Sequence, residues 1–234
     1  MFDRPHHRLV AQVLESLHGP LLRRLGCLFG GGTAIVLQRG EYRESVDIDF
    51  LVSDADGYRQ LRLLLTGKNG LAAILAPNAK PLETTREIRA DQYGIRTMVQ
   101  VGDKPIKFEI IREGRIHLDK PGRQDQVCGI ATLSQLDLAA SKLLANSDRW
   151  YDDGVFSRDL IDLAMLQLPP KLLQQAISKA ETAYGDAITR DLNRAIEALR
   201  TRPDRLERCM LALGIALPRA VLWQKIRRLQ KPLP

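Results

Sequence analysis

The sequence is poor in the features that mark disulfide-linked and zinc-binding proteins. Its 234 residues include three cysteines, Cys27, Cys128 and Cys209, which are far apart and set in apolar surroundings. An odd number of scattered cysteines argues against a disulfide framework, and no Cys and His spacing typical of a zinc site is present. We therefore expect buried, reduced thiols in a cytoplasmic protein.

Long apolar runs are also missing. No segment approaches the roughly 20 apolar residues of a membrane span, and the N-terminus lacks the apolar run of a signal peptide. Aromatic residues make up only 5% of the chain, which argues against extensive stacking of nucleic-acid bases on its surface. We expect no membrane association, and we interpret the pair His6-His7 as a solvated N-terminus.

Positive charge is in excess. The net charge is +7 and the pI is near 9.5, which favours a polyanionic partner, most commonly a nucleic acid. Many basic proteins never bind nucleic acid, so charge alone does not decide the function.

The pattern of apolar residues changes near residue 130. It predicts an α/β domain over residues 1–130, with strands at 46–52, 84–90, 93–101 and 105–112 and a weaker one near 126–130. Over residues 131–234 it predicts a helical domain, with helices at 135–146, 157–167, 171–184, 187–201, 205–213 and 219–229. The fold class is therefore α+β.

Two motifs stand close together in the first domain. Gly30-Gly31-Gly32 precedes a predicted helix, a place where backbone N–H groups can hold phosphate. Asp47 and Asp49 follow in a predicted strand and, being two residues apart, point to the same side. Paired carboxylates beside a phosphate cradle are typical of Mg²⁺-dependent phosphoryl or nucleotidyl transfer. The alternatives are a plain tight turn and an exposed carboxylate pair.

These motifs resemble those of the AbiEii/AbiGii toxin-type nucleotidyltransferase family, within the nucleotidyltransferase superfold. The resemblance rests on Gly31-Gly32-Thr33-Ala34-Ile35, Arg43-x-Ser45-x-Asp47-Ile48-Asp49, a later lysine and Arg158-Asp159-Leu160-Ile161-Asp162-Leu163. It implies a mixed sheet with flanking helices and a helical C-terminal part. It further implies an NTP substrate, Mg²⁺, a transfer RNA 3′ end as one acceptor and a cognate antitoxin as partner.

The resemblance also implies roles for individual residues. Gly31, Gly32 and Thr33 would hold the triphosphate, and Asp47 and Asp49 would bind Mg²⁺. Glycine suits this turn because a side chain would block the close approach of phosphate oxygens.

Two further pairs of candidate residues lie elsewhere in the first 130 residues. Arg43 and Ser45 lie in a loop that can close over phosphates, although a surface arginine is equally compatible. Glu109 is the candidate third carboxylate, which would bind a metal or accept the proton of the attacking hydroxyl. Lys107 shares its strand face and would pair with Glu109 or with phosphate. A solvent-facing Lys/Glu strand is the alternative.

The helical part supplies the remaining candidates. Lys142 lies among small apolar residues on a predicted helix, unlike a lysine on an ordinary exposed face, and in the family a lysine here approaches the phosphates. The alternative is a surface lysine with a buried stem. Asp159 and Asp162 share one helical face, and the resemblance implies that one of them orients the lysine or the base. The sequence does not separate the two.

The sequence therefore predicts transfer of a nucleoside monophosphate from an NTP to an acceptor hydroxyl, with Asp47, Asp49, Glu109, Lys142, Asp159 and Asp162 as the catalytic set. Rival hypotheses are a transferase that modifies a small molecule or protein, a non-catalytic nucleic-acid-binding module of the same fold, and a hydrolase that uses the same carboxylates.

Overall fold

A mixed five-stranded sheet organises the first part of the chain in the computed structural model, which describes residues 2–230. The strands are β1 (Leu28–Phe29), β2 (Ile48–Val52), β3 (Glu83–Ala90), β4 (Gly94–Val101) and β5 (Lys104–Arg112), in the spatial order β1-β2-β5-β4-β3. β2 and β5 run parallel, and the other neighbours are antiparallel. A short hairpin follows, formed by β6 (Gln126–Val127) and β7 (Ile130–Ala131).

Helices and one tight helical turn accompany this sheet. They are α1 (Pro5–Ser16), α2 (Gly19–Arg24), α3 (Gly31–Gln38), α4 (Ala55–Thr66) and a 3₁₀ turn at Gly70–Ile74. Pro5 suits the first turn of α1 because its missing N–H has no partner to lose there. The Asp54 carboxylate caps α4 by accepting a hydrogen bond from the Gly57 N–H at 2.6 Å.

The core side of the sheet is built around three aromatic rings on adjacent strands. Phe50 on β2 lies between Phe29 on β1 and Phe108 on β5, with ring centroids 5.6 Å apart in both pairs. All three side chains are buried. Since side chains alternate along a strand, burial of Phe50 and Phe108 directs their neighbours Asp49 and Glu109 to the opposite face.

The second part of the chain is helical. Its helices are α5 (Gln135–Arg149), α6 (Arg158–Leu166), α7 (Pro170–Tyr184), α8 (Ala187–Thr201), α9 (Arg205–Ala212) and α10 (Arg219–Arg227). α5 packs against α6, α7 and α8. No helix within residues 2–230 combines the length and apolar character that a membrane crossing requires.

The chain divides into two units that differ slightly from the predicted domains. The first contains the residues up to Gln38 together with Ser45–Ser134, and the second contains Arg39–Glu44 together with the chain from Gln135 onward. The sequence placed the change at residue 130 and did not assign residues 39–44 to the helical part. The α+β class and the four main strands are confirmed, with strand ends within two residues of the predicted ones.

The cysteines are all free. Cys27 and Cys209 are buried, as expected, whereas Cys128 is only half-buried. It lies in the turn between β6 and β7, next to the exposed Gly129.

Candidate active site

The glycine turn lies directly against the second aspartate. Gly31 has a φ of +66°, a conformation that side chains disfavour. A Cβ placed on it would lie 2.5 Å from Asp49 Oδ2, well inside van der Waals contact. The Gly30 N–H also donates a hydrogen bond to the Asp49 carbonyl at 2.8 Å. The absence of a side chain at residue 31 therefore makes room for the Asp49 carboxylate.

Thr33, in the first turn of α3, fixes the segment that enters β2. Its Oγ1 donates to the Asp47 carbonyl at 2.5 Å and lies 2.8 Å from Ser45 Oγ. The Thr33 side chain is buried. Its hydroxyl thus holds the backbone at the first aspartate, and the predicted contact of Gly31, Gly32 and Thr33 with phosphate stays a prediction.

Two histidines on α1 hold the same segment, so the interpretation of His6 and His7 as a solvated N-terminus is wrong. His7 Nε2 accepts a hydrogen bond from the Ser45 N–H at 3.2 Å, and His6 Nε2 donates to the Val46 carbonyl at 3.3 Å. His7 is fully buried. The signal was present in the sequence: His6 and His7 fall on the same helical stripe as Val10.

Two of the predicted carboxylate residues, Asp49 and Glu109, lie on the same face of the sheet. Asp49 on β2 is the register partner of Glu109 on β5, and paired residues of parallel strands point to the same side. Asp47 precedes β2 and, like Asp49, is half-buried. The spatial association of Asp49 with Glu109, far apart in sequence, is what the proposed transfer chemistry requires.

Two cations contact Glu109 in this arrangement. Lys107 Nζ lies 2.6 Å from Glu109 Oε2, and Arg96 Nε lies 3.2 Å from Glu109 Oε1. Burial lowers the pKa of Lys107, but its hydrogen bond to Glu109 and the charge of that carboxylate outweigh the effect. The charges of Asp47 and Asp49 act in the same direction, so the pKa of the lysine lies above its ordinary value. Lys107 therefore sits in the field of all three carboxylates.

The residue types suit a hard cation, since Mg²⁺ prefers carboxylate oxygens and Asp49 and Glu109 lie on the same face of two neighbouring strands. Gly31 keeps the space beside Asp49 free of a side chain. Within residues 2–230, no three His, Cys, Asp or Glu side chains stand close enough to hold a metal together in this arrangement, and the Glu109 oxygens contact Lys107 and Arg96 instead. The assignment of Asp47, Asp49 and Glu109 as metal ligands stays a prediction.

A buried charge network occupies the helical unit. Lys142 on α5 contacts both aspartates of α6, with its Nζ 2.9 Å from Asp159 Oδ1 and 2.7 Å from Asp162 Oδ2. Arg149 pairs with Asp159 through two hydrogen bonds of 2.7 and 3.0 Å. Since Lys142 is buried, the alternative of a surface lysine is excluded. Its predicted contact with phosphate stays a prediction.

The second aspartate anchors the segment Arg39–Glu44. Arg43 donates to both oxygens of Asp162, at 2.7 and 2.8 Å, and the Tyr42 hydroxyl donates to Asp162 Oδ1 at 2.7 Å. Arg43 is buried, so the equally weighted alternative of a surface arginine is wrong. Local sequence patterns do not predict this contact, because Arg43 and Asp162 are more than a hundred positions apart in the chain.

Opposing effects set the ionisation of this network. Burial raises the pKa of Asp162, but the charges of Lys142 and Arg43 outweigh it and hold the pKa below its ordinary value. Burial likewise lowers the pKa of Lys142, whereas the two aspartates raise it above its ordinary value. The network is therefore fully charged at neutral pH.

The predicted site residues thus form two groups, one in each unit. The first unit holds Gly31, Gly32, Thr33, Ser45, Asp47, Asp49, Lys107 and Glu109, and the second holds Arg43, Lys142, Asp159 and Asp162.

Comparison with known proteins gives the family. The family model described as nucleotidyl transferase AbiEii toxin, type IV TA system, matches residues 20–229. Two solved structures from Helicobacter pylori align with 97% of this chain and 96% of their own, at 18% identity: one described as a candidate nucleotidyltransferase, with a TM-score of 0.47, and JHP933, with a TM-score of 0.43. No curated protein gives a match. On the strength of a family model that spans most of its length, the chain belongs to the AbiEii nucleotidyl transferase toxin family of type IV toxin–antitoxin systems.

Proposed function

We propose that this chain is a Mg²⁺-dependent enzyme that transfers a nucleoside monophosphate from an NTP to a hydroxyl of an RNA acceptor, with the transfer RNA 3′ end as the acceptor to test first. The observation that carries the proposal is the register pairing of Asp49 with Glu109, beside a glycine turn that leaves room for the Asp49 carboxylate. Membership of the family supports nucleotidyl transfer in general, whereas Mg²⁺, the NTP and the RNA acceptor belong to this proposal.

The residues of the first unit take separate tasks in this reaction. Asp47 and Asp49 would hold Mg²⁺, which neutralises charge on the triphosphate when it is bound. The backbone N–H groups of Gly31 and Gly32 would donate hydrogen bonds to the phosphates. Glu109 accepts the proton of the acceptor hydroxyl.

The transfer itself exchanges one bond for another. The acceptor oxygen forms a bond to the α-phosphorus of the NTP, and the bond from that phosphorus to the oxygen bridging to the β-phosphate breaks. The proton of the hydroxyl passes to Glu109, and pyrophosphate leaves with the bonding electron pair. Lys107 Nζ lies 2.6 Å from Glu109 Oε2, and in this proposal it turns toward the triphosphate when the NTP binds, which leaves that oxygen to accept the proton.

The acceptor and the partner follow from charge and family. An excess of seven positive charges favours a polyanionic acceptor over a small neutral one. Membership of a type IV toxin–antitoxin family supports an antitoxin partner and a cytoplasmic place of action, where NTPs and transfer RNA are both present.

Incubation with α-³²P-labelled NTPs, Mg²⁺ and total RNA tests the proposal. We expect labelled RNA from the wild type, none from Asp49→Asn, and a loss of about 10²- to 10⁴-fold from Glu109→Gln. Glu83→Gln, which removes an exposed carboxylate of β3, is the matched control and should label RNA normally.

The same reaction separates the rivals. Label on protein or on a small molecule would identify a transferase with another acceptor. A non-catalytic nucleic-acid-binding module would transfer no label, and calorimetry would detect no Mg²⁺-dependent NTP binding.

A further inference from the structure

A row of charged side chains crosses the sheet face that carries Glu109. Glu109 on β5 is the register partner of Arg96 on β4, and Arg96 is in turn the partner of Arg89 on β3. Together with Asp49, the row changes from acidic to basic across four adjacent strands. Neighbouring strands are about 4.8 Å apart, so the row from Glu109 to Arg89 spans about 10 Å of sheet.

An irregularity in β3 adds a second arginine to this face. Arg86 pairs with Met98 and Arg89 pairs with Arg96, so three steps along β3 match two steps along β4. In a regular strand, residues 86 and 89 would point to opposite faces. The inserted residue restores both arginines to the face of Glu109, which is the effect expected of a β-bulge.

These residues line an open groove of about 500 Å³. Its charged lining consists of Arg86, Arg89, Arg96, Lys107, Glu87 and Glu109. Lys107 and Arg96 contact Glu109, whereas within residues 2–230 no ion pair engages Arg86 or Arg89, and both are exposed. The groove therefore holds, two strands away from the proposed proton acceptor, two arginines that form no ion pair with the described part of the chain.

We propose that this groove binds the phosphodiester backbone of a single-stranded nucleic acid and guides its terminal hydroxyl to Glu109. The inference rests on the proposed function, because Glu109 is the group at which an acceptor hydroxyl must arrive. Cations spread over about 10 Å suit a polyanionic chain better than a single phosphate group.

The side chains that line the groove also indicate how it would recognise RNA. Among the residues that the structure describes, no aromatic side chain lines the groove, so these residues offer bases no ring on which to stack. Arginine contacts to phosphate position a strand without reading its sequence. The groove should therefore bind RNA strands of different sequence with similar affinity.

Fluorescence anisotropy with short, 5′-labelled single-stranded RNAs tests the groove without catalysis, in the absence of NTP and Mg²⁺. The double variant Arg86→Glu/Arg89→Glu should weaken binding at least about tenfold and reduce the slope of log K against log salt by about 1.4, the value for two lost contacts on a single strand. Arg23→Glu/Arg24→Glu on α2 changes the net charge equally outside the groove and should keep the wild-type slope. Arg86→Lys/Arg89→Lys should retain most of the affinity.

Equal RNA affinity of the groove variant and the α2 control would overturn the inference. So would competition by polyglutamate as strong as that by RNA, because the groove would then suit an acidic protein. If the glutamate variant loses its cooperative urea transition, Arg86→Ala/Arg89→Ala is measured in its place, with the same expected ordering. A protein that binds RNA through the groove yet transfers no label would refute the proposed reaction and leave the binding site standing.

Discussion

Asp49 and Glu109 are register partners on two parallel strands, and their carboxylates leave the same face of the sheet. A shift of one residue in this pairing would turn Glu109 toward the core and expose Phe108. Burial of the Phe50 and Phe108 rings therefore fixes the register that places Asp49 and Glu109 on the same face.

Gly31→Ala should abolish most of the transfer activity. The added methyl group would lie 2.5 Å from Asp49 Oδ2 and displace that carboxylate, and a displacement of about 1 Å at a reacting group can cost about a hundredfold in rate. Gly102→Ala is the matched control, because Gly102 also has a positive φ but has nothing within 4 Å of its Cβ position. Both variants carry a backbone strain of about 1–2 kcal/mol. Equal activities in a transfer assay would show that contact with Asp49 does not matter.

His7→Phe should raise the Mg²⁺ concentration needed for half-maximal activity by about tenfold. Loss of a residue that orients a metal ligand typically weakens metal binding to this extent. The phenyl ring would occupy the place of the imidazole but could not accept the hydrogen bond from the N–H of Ser45, which lies two residues before Asp47. His7→Gln retains an acceptor and should restore the wild-type Mg²⁺ dependence. Were both variants to lose stability and activity in parallel with unchanged Mg²⁺ dependence, His7 would be a packing residue only.

Asp162→Asn should destabilise the protein by about 3–5 kcal/mol, because it leaves buried Arg43 and Lys142 short of a counter-charge. Urea unfolding measures the change. Glu197→Gln, which breaks an exposed pair with Arg200 on α8, should leave the unfolding midpoint unchanged. Similar midpoints for both variants would mean that the buried network adds no stability.

Because of the buried pairs of Lys142 with Asp159 and Asp162, we expect the free energy of unfolding to be nearly constant over a wide range of pH. The lowered pKa values of Asp159 and Asp162 add stability that is present above their ordinary value of 3.8 and is lost as the pH falls through the lowered values. The raised pKa of Lys142 adds stability that is present below its ordinary value of 10.5 and is lost at higher pH. Urea midpoints should fall less steeply below pH 3.8 in Asp162→Asn than in the wild type, and parallel curves would contradict this assignment.

Local patterns in the sequence predicted most of the first unit. Alternation and turn residues located β3, β4 and β5, and alternation along β2 placed Asp49 opposite the buried Phe50, whereas Asp47 lies before the strand and its predicted place on the same side stays a prediction. The strand alternation also predicted correctly that Lys107 and Glu109 share a face. These features depend on neighbours in the chain, which a sequence displays directly.

Contacts between segments far apart in the chain could not be predicted from the sequence. The parallel pairing of β2 with β5 depends on the packing of Phe50 against Phe108. The hydrogen bond from Ser45 to His7 and the pairing of Arg43 with Asp162 join segments that no local pattern connects. The bulge in β3 was missed because it shows only when β4 supplies the register.

The stoichiometry of the reaction tests the central claim most directly. Purified protein, Mg²⁺, one α-labelled NTP and RNA should give pyrophosphate and labelled RNA in equal amounts, and Asp49→Asn should give neither. Release of inorganic phosphate or pyrophosphate without labelled RNA would instead identify a hydrolase, and it would contradict the account in which Glu109 receives the proton of an acceptor hydroxyl.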